Sequence, residues 1–146
     1  MLEEYVAWIG LDLAFQEIDA ELAGLPGDYA PPRGALFVAD DGSHGLAGMV
    51  GLRPLDKISP ADAQSATAGE MKRLYVRPSA RGRGLAKQLI AAALDEARRL
   101  GYSEIRLDTL PMMGDAQSLY VALGFRDIAP YYDTPIAGTR FMAKRL

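Results

Sequence analysis

The sequence predicts a mixed α/β (α+β) fold in which helices pack on one central sheet. Three observations support this prediction. Apolar residues recur at helical spacing in several segments, and short β-like runs end at glycine, proline or polar clusters. The two kinds of segment follow one another in the order ααββ-βαβα-ββ. The length of 146 residues suits one domain spanning residues 1–146.

Two helical segments are predicted before the first strand. The first is "EYVAWIG", residues 4–10. The second, residues 15–25, carries apolar residues at helical spacing from Phe15 onward and ends at Gly24. A loop rich in proline and glycine follows this second helix.

Residues 34–55 are predicted to form a β-hairpin. Two apolar β runs are joined by the polar stretch "DDGSHG", in which we expect His44 to be exposed and inert. Residues 55–68 form a loop of small and polar residues. Residues 69–78, "GEMKRLYVRP", form the next strand, which ends at its proline.

The second half of the chain begins with its clearest helix. Residues 85–100 have one apolar and one charged face, which is the pattern of an amphipathic helix packed on a core, and Gly101 ends it. Residues 104–110, "EIRLDTL", are predicted as a strand. A short helix capped by Asp115 and ended by Gly124 comes next, and the β runs "FRDIA" and "TRFMAKRL" close the chain.

The composition excludes several classes of function. The chain has no cysteine, which excludes disulfides, thiolate nucleophiles and thiolate metal sites. Its net charge of -3 argues against a nucleic-acid partner, because such domains are usually basic. The start is acidic and no run of about 18 apolar residues occurs, so we expect no membrane association and a cytoplasmic location.

The junction at residues 76–90, "VRPSARGRGLAKQLI", has the features of an anion site. Unpaired backbone N–H groups and the positive end of a helix dipole meet where a strand leads into a helix. Gly82 and Gly84 allow the main chain to approach a ligand closely. Mobile positive charge is added by Arg81, Arg83 and Lys87. A di- or polyphosphate is therefore the expected ligand.

Two common phosphate-binding motifs fit this junction less well. A dinucleotide-binding Rossmann unit would have a third glycine where Lys87 stands, although Asp108 occupies the place of its acidic residue. A P-loop would have lysine and then serine or threonine after the second glycine, and this chain does not.

The junction does resemble the phosphate-binding motif of the GNAT superfamily of acetyl-CoA-dependent N-acetyltransferases. The family loop [QR]-x-x-G-x-[GA] is present as Arg81-Gly82-Arg83-Gly84-Leu85-Ala86. The downstream family motif A-x-x-L-Y-x-x-x-G-F is present as Ala116, Leu119, Tyr120, Gly124 and Phe125. The resemblance covers residues 34–146 well. It implies a mostly antiparallel mixed sheet of about six strands flanked by about four helices. Family members begin with a strand, whereas this sequence opens with a helix-like segment, so either the true start lies upstream or the first strand of the family is missing.

The resemblance implies acetyl-CoA as co-substrate and no metal. Backbone amides of the loop would bind the pyrophosphate of coenzyme A, and the preceding strand would pair with its pantetheine arm. Many members carry an asparagine where this chain has Met113, so we expect that contact to be lost or made by backbone. The predicted cofactor-binding residues are Leu74, Tyr75, Val76, Arg81, Gly82, Arg83, Gly84, Leu85, Ala86, Lys87 and Met113.

The resemblance also assigns catalytic roles. Tyr120 would protonate the departing thiolate, which is chemically workable because a thiol has a pKa near ~8.5 and a phenol near ~10. The base that accepts a proton from the amine would be Glu70 or Asp108. Strand alternation is predicted to place Glu70 on one face with Lys72, Leu74 and Val76, so Glu70 could instead be a surface residue paired with Lys72.

The acceptor is predicted to be a primary amine of a small molecule, attacked directly in a ternary complex. The family's acceptor side holds acids and basic residues here, including Glu21, Arg53 and Arg73. Acids would attract a cationic amine and an arginine could hold a carboxylate, which suggests an amino-acid-like acceptor. The alternative function is a non-catalytic acyl-CoA-binding sensor. Because a missing first strand would expose the "ALFVAD" strand as a sheet edge, a homodimer is also predicted.

Overall fold

The computed structural model describes residues 1–10, 18–42, 45–56 and 67–146. The predictions for Phe15, for His44 and for the loop at 57–66 lie outside these residues. The helices and strands follow the predicted order, and the fold class is confirmed. They are α1 (Leu2–Ile9), α2 (Ile18–Ala23), β1 (Ala35–Asp40), β2 (Leu46–Pro54), β3 (Ala68–Val76), α3 (Leu85–Arg99), β4 (Glu104–Thr109), α4 (Gly114–Ala122), β5 (Arg126–Ile128) and β6 (Arg140–Arg145).

The strands form a six-stranded sheet in the order β1-β2-β3-β4-β6-β5. The β3–β4 pair is parallel, and the other four neighbouring pairs are antiparallel. Parallel strands need a crossover connection, and α3 supplies it between β3 and β4. The sheet is therefore mixed and mostly antiparallel, as the resemblance implied.

Helix α3 packs its apolar stripe on the β1–β2–β3 half of the sheet. Its buried residues join a core with Val50 and Leu52 of β2, and the stripe consists of Leu89, Ile90, Ala93, Leu94 and Ala97. Gly101, with φ of +83°, follows the end of the helix as predicted. None of the helices in the described ranges has the length and hydrophobicity needed to cross a bilayer.

The N-cap of helix α4 lies two residues before the predicted one. Met113 occupies the N-cap position and makes no side-chain capping bond, so the predicted cap by Asp115 is wrong. Asp115 lies in the first turn instead, where its negative charge interacts favourably with the helix dipole. The predicted end is confirmed, because Gly124 follows the helix with φ of +87°.

Strands β3 and β4 separate soon after they meet. Their pairing covers Ala68–Glu70 against Glu104–Arg106 and goes no further among the described residues. Beyond this point β3 continues to pair with β2 and β4 continues to pair with β6. The carboxyl-terminal halves of the two strands therefore diverge and leave a wedge-shaped opening in the sheet.

A β-bulge interrupts β3 inside this opening. Lys72 pairs with Gly51 and Tyr75 pairs with Met49, so two residues of β3 lie opposite Val50 alone. Arg73 in the bulge has φ of +60°, a strained value for a residue with a side chain.

The bulge changes which side chains share a face of β3. Register partners share a face of the sheet, so Lys72 and Tyr75 lie on the same side. Val76 packs in the α3 core on the other side, and Leu74 packs against that core. The predicted shared face of Glu70, Lys72, Leu74 and Val76 is therefore wrong beyond Lys72.

Candidate active site

The loop before α3 presents free backbone donors. Gly82 and Gly84 both have φ of +75°, and a Cβ added at either would meet no atom within 4 Å. Gln88 donates to the Gly84 carbonyl at 3.1 Å, so the amides earlier in the helix have no intrahelical acceptor. These donors, the helix dipole and the open space at both glycines fit a pyrophosphate group.

The basic side chains around this loop differ in their freedom. Arg81 donates from Nε to the Val76 carbonyl at 3.0 Å, and its guanidinium lies 4.8 Å from the centre of the Trp8 ring. Arg81 is thus fixed, whereas the sequence predicted mobile charge. Arg83 lies 3.4 Å from the Asp41 carboxylate. Lys87 faces the groove described next.

A groove of about 740 Å³ runs from this loop along the carboxyl-terminal half of β3. One wall is β3 at Leu74–Val76, and α4 with the turn before it forms the other. The predicted cofactor-binding residues that line the groove are Leu74, Tyr75, Val76, Arg81, Gly82, Gly84, Leu85, Ala86, Lys87 and Met113. Arg83 falls outside this lining. Trp8 of α1 lines the groove as well, and sequence reasoning missed it.

A small inner pocket of about 30 Å³ adjoins the groove. The two cavities share Leu74, Met113 and Tyr120. The pocket is also lined by Tyr5, Lys72, Arg73, Asp108 and Thr109. Tyr120 therefore stands where the cofactor groove meets a pocket lined by charged residues.

Tyr120 has the environment of a proton donor that stays protonated. It is 6% exposed, and burial raises the pKa of its phenol, with smaller contributions from Tyr5 and Asp108. Within the described ranges its hydroxyl has no hydrogen-bond partner. The hydroxyl is thus protonated and available to a ligand.

Asp108 lies in the inner pocket and forms an ion pair. Its Oδ1 accepts a hydrogen bond from Lys72 Nζ at 2.5 Å. Burial acts to raise the pKa of Asp108, but the charge of Lys72 and hydrogen bonds from Lys72 and Tyr132 outweigh it and lower the pKa. Asp108 is therefore ionised at neutral pH. The sequence offered Glu70 as the partner of Lys72, and it missed Asp108, the closer partner, because Asp108 lies on a different strand.

Glu70 is completely buried, which excludes the surface position considered for it. Its two oxygens accept hydrogen bonds from Arg53 Nε at 2.7 Å and from the Tyr131 hydroxyl at 2.9 Å. Lys72 Nζ lies 3.8 Å away. Glu70 is absent from the linings of the groove and the inner pocket. The structure therefore brings Asp108 to Tyr120 but holds Glu70 in a separate ion pair.

Glu21 and Arg73 form a second ion pair that sequence reasoning missed. Arg73 donates to Glu21 from Nε at 2.8 Å and from Nη2 at 3.0 Å, and the Tyr29 hydroxyl donates at 2.9 Å. Burial opposes ionisation of Glu21, but the hydrogen bonds and charge of Arg73 outweigh it and lower its pKa. The Glu21 carboxylate is thus bound by protein donors, whereas the sequence predicted that it would help to attract a cationic amine.

Comparisons with known proteins establish the family. Residues 4–125 match the sequence profile of the Acetyltransferase (GNAT) family. The chain belongs to this family. An uncharacterized N-acetyltransferase of Schizosaccharomyces pombe is 40% identical over 143 residues, which cover 97% of this chain and 82% of the relative. N-acetyltransferase 8 of Homo sapiens is 30% identical over 106 residues, which cover 73% of this chain and 45% of the human protein.

Solved acetyltransferase structures share the fold. An acetyltransferase from Streptococcus agalactiae superposes with a TM-score of 0.71 at 20% identity, covering 99% of this chain and 91% of that one. The PaiA N-acetyltransferase from Thermoplasma acidophilum, in complex with coenzyme A, has a TM-score of 0.62 at 22% identity, covering 90% and 68%. The predicted GNAT resemblance is confirmed, and the protein is an acetyl-CoA-dependent acetyltransferase.

Proposed function

We propose that this GNAT acetyltransferase acetylates a primary amine of a small molecule by direct attack in a ternary complex. The observation that supports this mechanism is the meeting of two cavities at Tyr120. The groove suits the long cofactor, and the inner pocket, with room for about one water molecule, places Asp108 beside the groove's end at Tyr120. The chain has no cysteine that could hold the acyl group in between.

The donor side of the proposed site consists mainly of backbone. The amides that open α3 would bind the pyrophosphate of acetyl-CoA, which supplies an activated acyl group. Leu74–Val76 would pair with the pantetheine arm, because this part of β3 has no partner on its β4 side. The bulge at Arg73 leaves an amide outside the β2 ladder, and we assign this amide to the oxygen where negative charge develops.

The two faces of the opening divide the proton transfers between them. Tyr120, whose phenol is buried, protonates the sulfur as it leaves. Asp108 accepts a proton from the amine nitrogen, directly or through water, as that nitrogen becomes positively charged. We prefer Asp108 to Glu70 because Asp108 lines the inner pocket, whereas both oxygens of Glu70 already accept hydrogen bonds from protein donors.

The two buried arginines expected to bind the acceptor are held by carboxylates of the protein. Arg53 and Arg73 were expected to hold a carboxylate of an amino-acid-like substrate. They are instead bound to Glu70 and Glu21. We therefore propose a small primary amine without assigning it a carboxylate, and an amino-acid acceptor becomes one outcome of the experiment.

A two-stage experiment tests this function. Acetyl-CoA at 100 times its dissociation constant should stabilise the protein by about 2.7 kcal/mol, whereas NAD and ATP should not. Thiol release is then measured with amino acids, polyamines, aminoglycosides and peptides as acceptors. Release with one small amine class supports the proposal. Binding of acetyl-CoA without release from any amine would favour the acyl-CoA sensor.

We also propose a homodimer in which strand β1 pairs with its symmetry mate. Within the described ranges β1 pairs with β2 alone, and Leu36 and Val38 are exposed on it at 42% and 52%. An open strand edge with apolar side chains favours pairing with a second chain. Light scattering at micromolar concentration should give twice the chain mass, and a monomeric mass would contradict the dimer. A cytoplasmic location remains a prediction.

A further inference from the structure

Thr109, the last residue of β4, carries a buried hydroxyl without a protein partner. Its side chain is 2% exposed, and Oγ1 forms no hydrogen bond with any described residue. A buried hydroxyl without a partner destabilises the folded state, and valine would fill nearly the same volume without this penalty. The hydroxyl therefore does not stabilise the fold, which favours a role in ligand binding or catalysis.

The position of Thr109 connects it with Tyr120. Thr109 lines the inner pocket, and Tyr120 lines both this pocket and the cofactor groove. Side chains alternate along a strand, so Thr109 lies on the same face of β4 as Leu107, which shares its core cluster with Tyr120. Asp108 lies on the opposite face with Lys72. Thr109 thus belongs to the half of the site that holds the proposed proton donor.

We propose that the Thr109 hydroxyl is a second hydrogen-bond donor to the sulfur of coenzyme A, acting beside Tyr120. This inference rests on the proposed function. When the bond between nitrogen and the acyl carbon forms, the carbon–sulfur bond breaks and its electron pair moves to sulfur, while Tyr120 transfers its proton to that atom. Thr109 keeps its own proton and shares the developing negative charge. Both residues line the inner pocket, and Thr109 Oγ1 has no hydrogen-bond partner among the described residues.

The tests are the substitutions Thr109→Val, which removes the hydroxyl at similar volume, and Thr109→Ser, which keeps the hydroxyl and removes a methyl group. We expect Thr109→Val to melt at or above the wild-type temperature and to turn over about tenfold more slowly, with the KM for acetyl-CoA within about twofold. Thr109→Ser should melt lower, because it leaves a small gap in the core, yet turn over within about threefold of the wild type.

A binding measurement gives a readout other than activity. The wild type should bind coenzyme A more tightly as pH rises toward the ordinary thiol pKa of about 8.5 and level off above it, because both hydroxyls stabilise the thiolate. In Thr109→Val the increase in coenzyme A affinity over the same pH range should be about tenfold smaller. Acetyl-CoA is the matched control, because its sulfur cannot ionise and its affinity should show no such rise. Calorimetry at several pH values measures all three.

The possible outcomes separate this inference from the proposed function. Turnover or thiolate affinity of Thr109→Val within about twofold of wild type overturns the inference. A melting temperature lower for Thr109→Val than for Thr109→Ser also overturns it, because the hydroxyl would then have a structural partner. If the wild type binds neither coenzyme A nor acetyl-CoA, the proposed function fails first.

Discussion

The donor and acceptor halves of the site are built in different ways. The donor half is made by backbone amides, glycines and small apolar side chains, most of them within residues 74–87. The proposed acceptor half is made by charged side chains on separate strands, namely Lys72 and Arg73 of β3 and Asp108 of β4. A common cofactor can be bound by one contiguous segment, whereas the acceptor side depends on how distant segments pack.

The ion pairs of the acceptor half shape the pocket more than they stabilise the fold. Desolvation offsets most of the attraction in a buried ion pair, so its net contribution is small. The ion pairs have a larger effect on the position of the side chains and backbone that line the pocket. Glu21 holds the guanidinium of Arg73, whose backbone carries the strained φ of the bulge. The acceptor half thus helps to fix the strand edge that the donor half uses.

The largest effect is expected at Tyr120, where the two halves meet. Tyr120→Phe should lower kcat by about a hundredfold to ten-thousandfold, because it removes the acid that protonates the leaving group. The affinity for acetyl-CoA, whose sulfur cannot ionise, should stay within about twofold, since the ring remains in place. Steady-state kinetics and calorimetry measure the two quantities.

A matched control exists for this substitution. The Tyr102 hydroxyl donates to the Arg33 carbonyl at 2.6 Å, and Tyr102 lines neither the groove nor the inner pocket. Tyr102→Phe should melt slightly lower and keep its kcat. Equal kcat for Tyr120→Phe and Tyr102→Phe would show that Tyr120 is not the acid that protonates the leaving sulfur.

The acceptor half should be the more sensitive half in stability. Asp108→Asn removes the closer of the two carboxylates beside the buried Lys72 ammonium, which should lower the free energy of unfolding by about 3 kcal/mol. The double substitution Lys72→Met with Asp108→Leu removes both charges and should recover most of this loss. Urea unfolding measures each variant. Additive losses in the double variant would show that the two side chains do not interact.

The same pair predicts how stability depends on pH. The folded pKa of Asp108 lies below its ordinary value of 3.8, so its contribution is complete above that value and is lost as pH falls through the folded pKa. The melting temperatures of the wild type and the Lys72→Met, Asp108→Leu variant should therefore converge as the medium becomes more acidic than pH 3.8. A constant difference across this range would contradict the lowered pKa.

The difference between the donor and acceptor halves also determines which parts of the site could be predicted from the sequence. The motif at Arg81–Ala86 and the motif that contains Tyr120 are local, so both were found from their resemblance to the family motifs. The Arg53–Glu70 pair follows from the β2–β3 register, which the hairpin pattern left open. The Lys72–Asp108 pair needs the parallel β3–β4 contact, and the Arg73–Glu21 pair has no local signal.

The bulge explains the clearest failure of pattern reasoning. Alternation is correct from Glu70 to Lys72 and fails afterwards, because Arg73 adds a residue to the strand. Nothing in the side chain of an arginine predicts a left-handed backbone, since glycine and asparagine are the usual residues there. The strain is maintained by tertiary contacts to Glu21 and to the Tyr5 ring, which lie far away in the chain.

A smaller effect is expected from the shape of the donor half. Gly84→Ala places a methyl group where the cofactor phosphates should approach, and its φ of +75° strains the backbone. We expect about a tenfold loss of coenzyme A affinity together with a lower melting temperature. Gly101→Ala is the control, because Gly101 has φ of +83° beside the other end of α3. It should lower the melting temperature alone, and an equal affinity loss there would point to a general effect on the helix.

The smallest effect concerns Trp8, which links α1 to the donor half. Trp8 is the chain's one tryptophan and is 44% exposed. Its ring contacts the Arg81 guanidinium and lines the groove, so its fluorescence should change as coenzyme A binds. Trp8→Leu should weaken binding by about three- to fivefold, because a cation–π contact at a half-exposed site is weak. Trp8→Phe should retain most of the affinity, since its ring can still stack on Arg81. Unchanged emission during a titration that calorimetry shows to be saturating would place the cofactor away from α1, and the donor half would then consist of the loop, β3 and α4 alone.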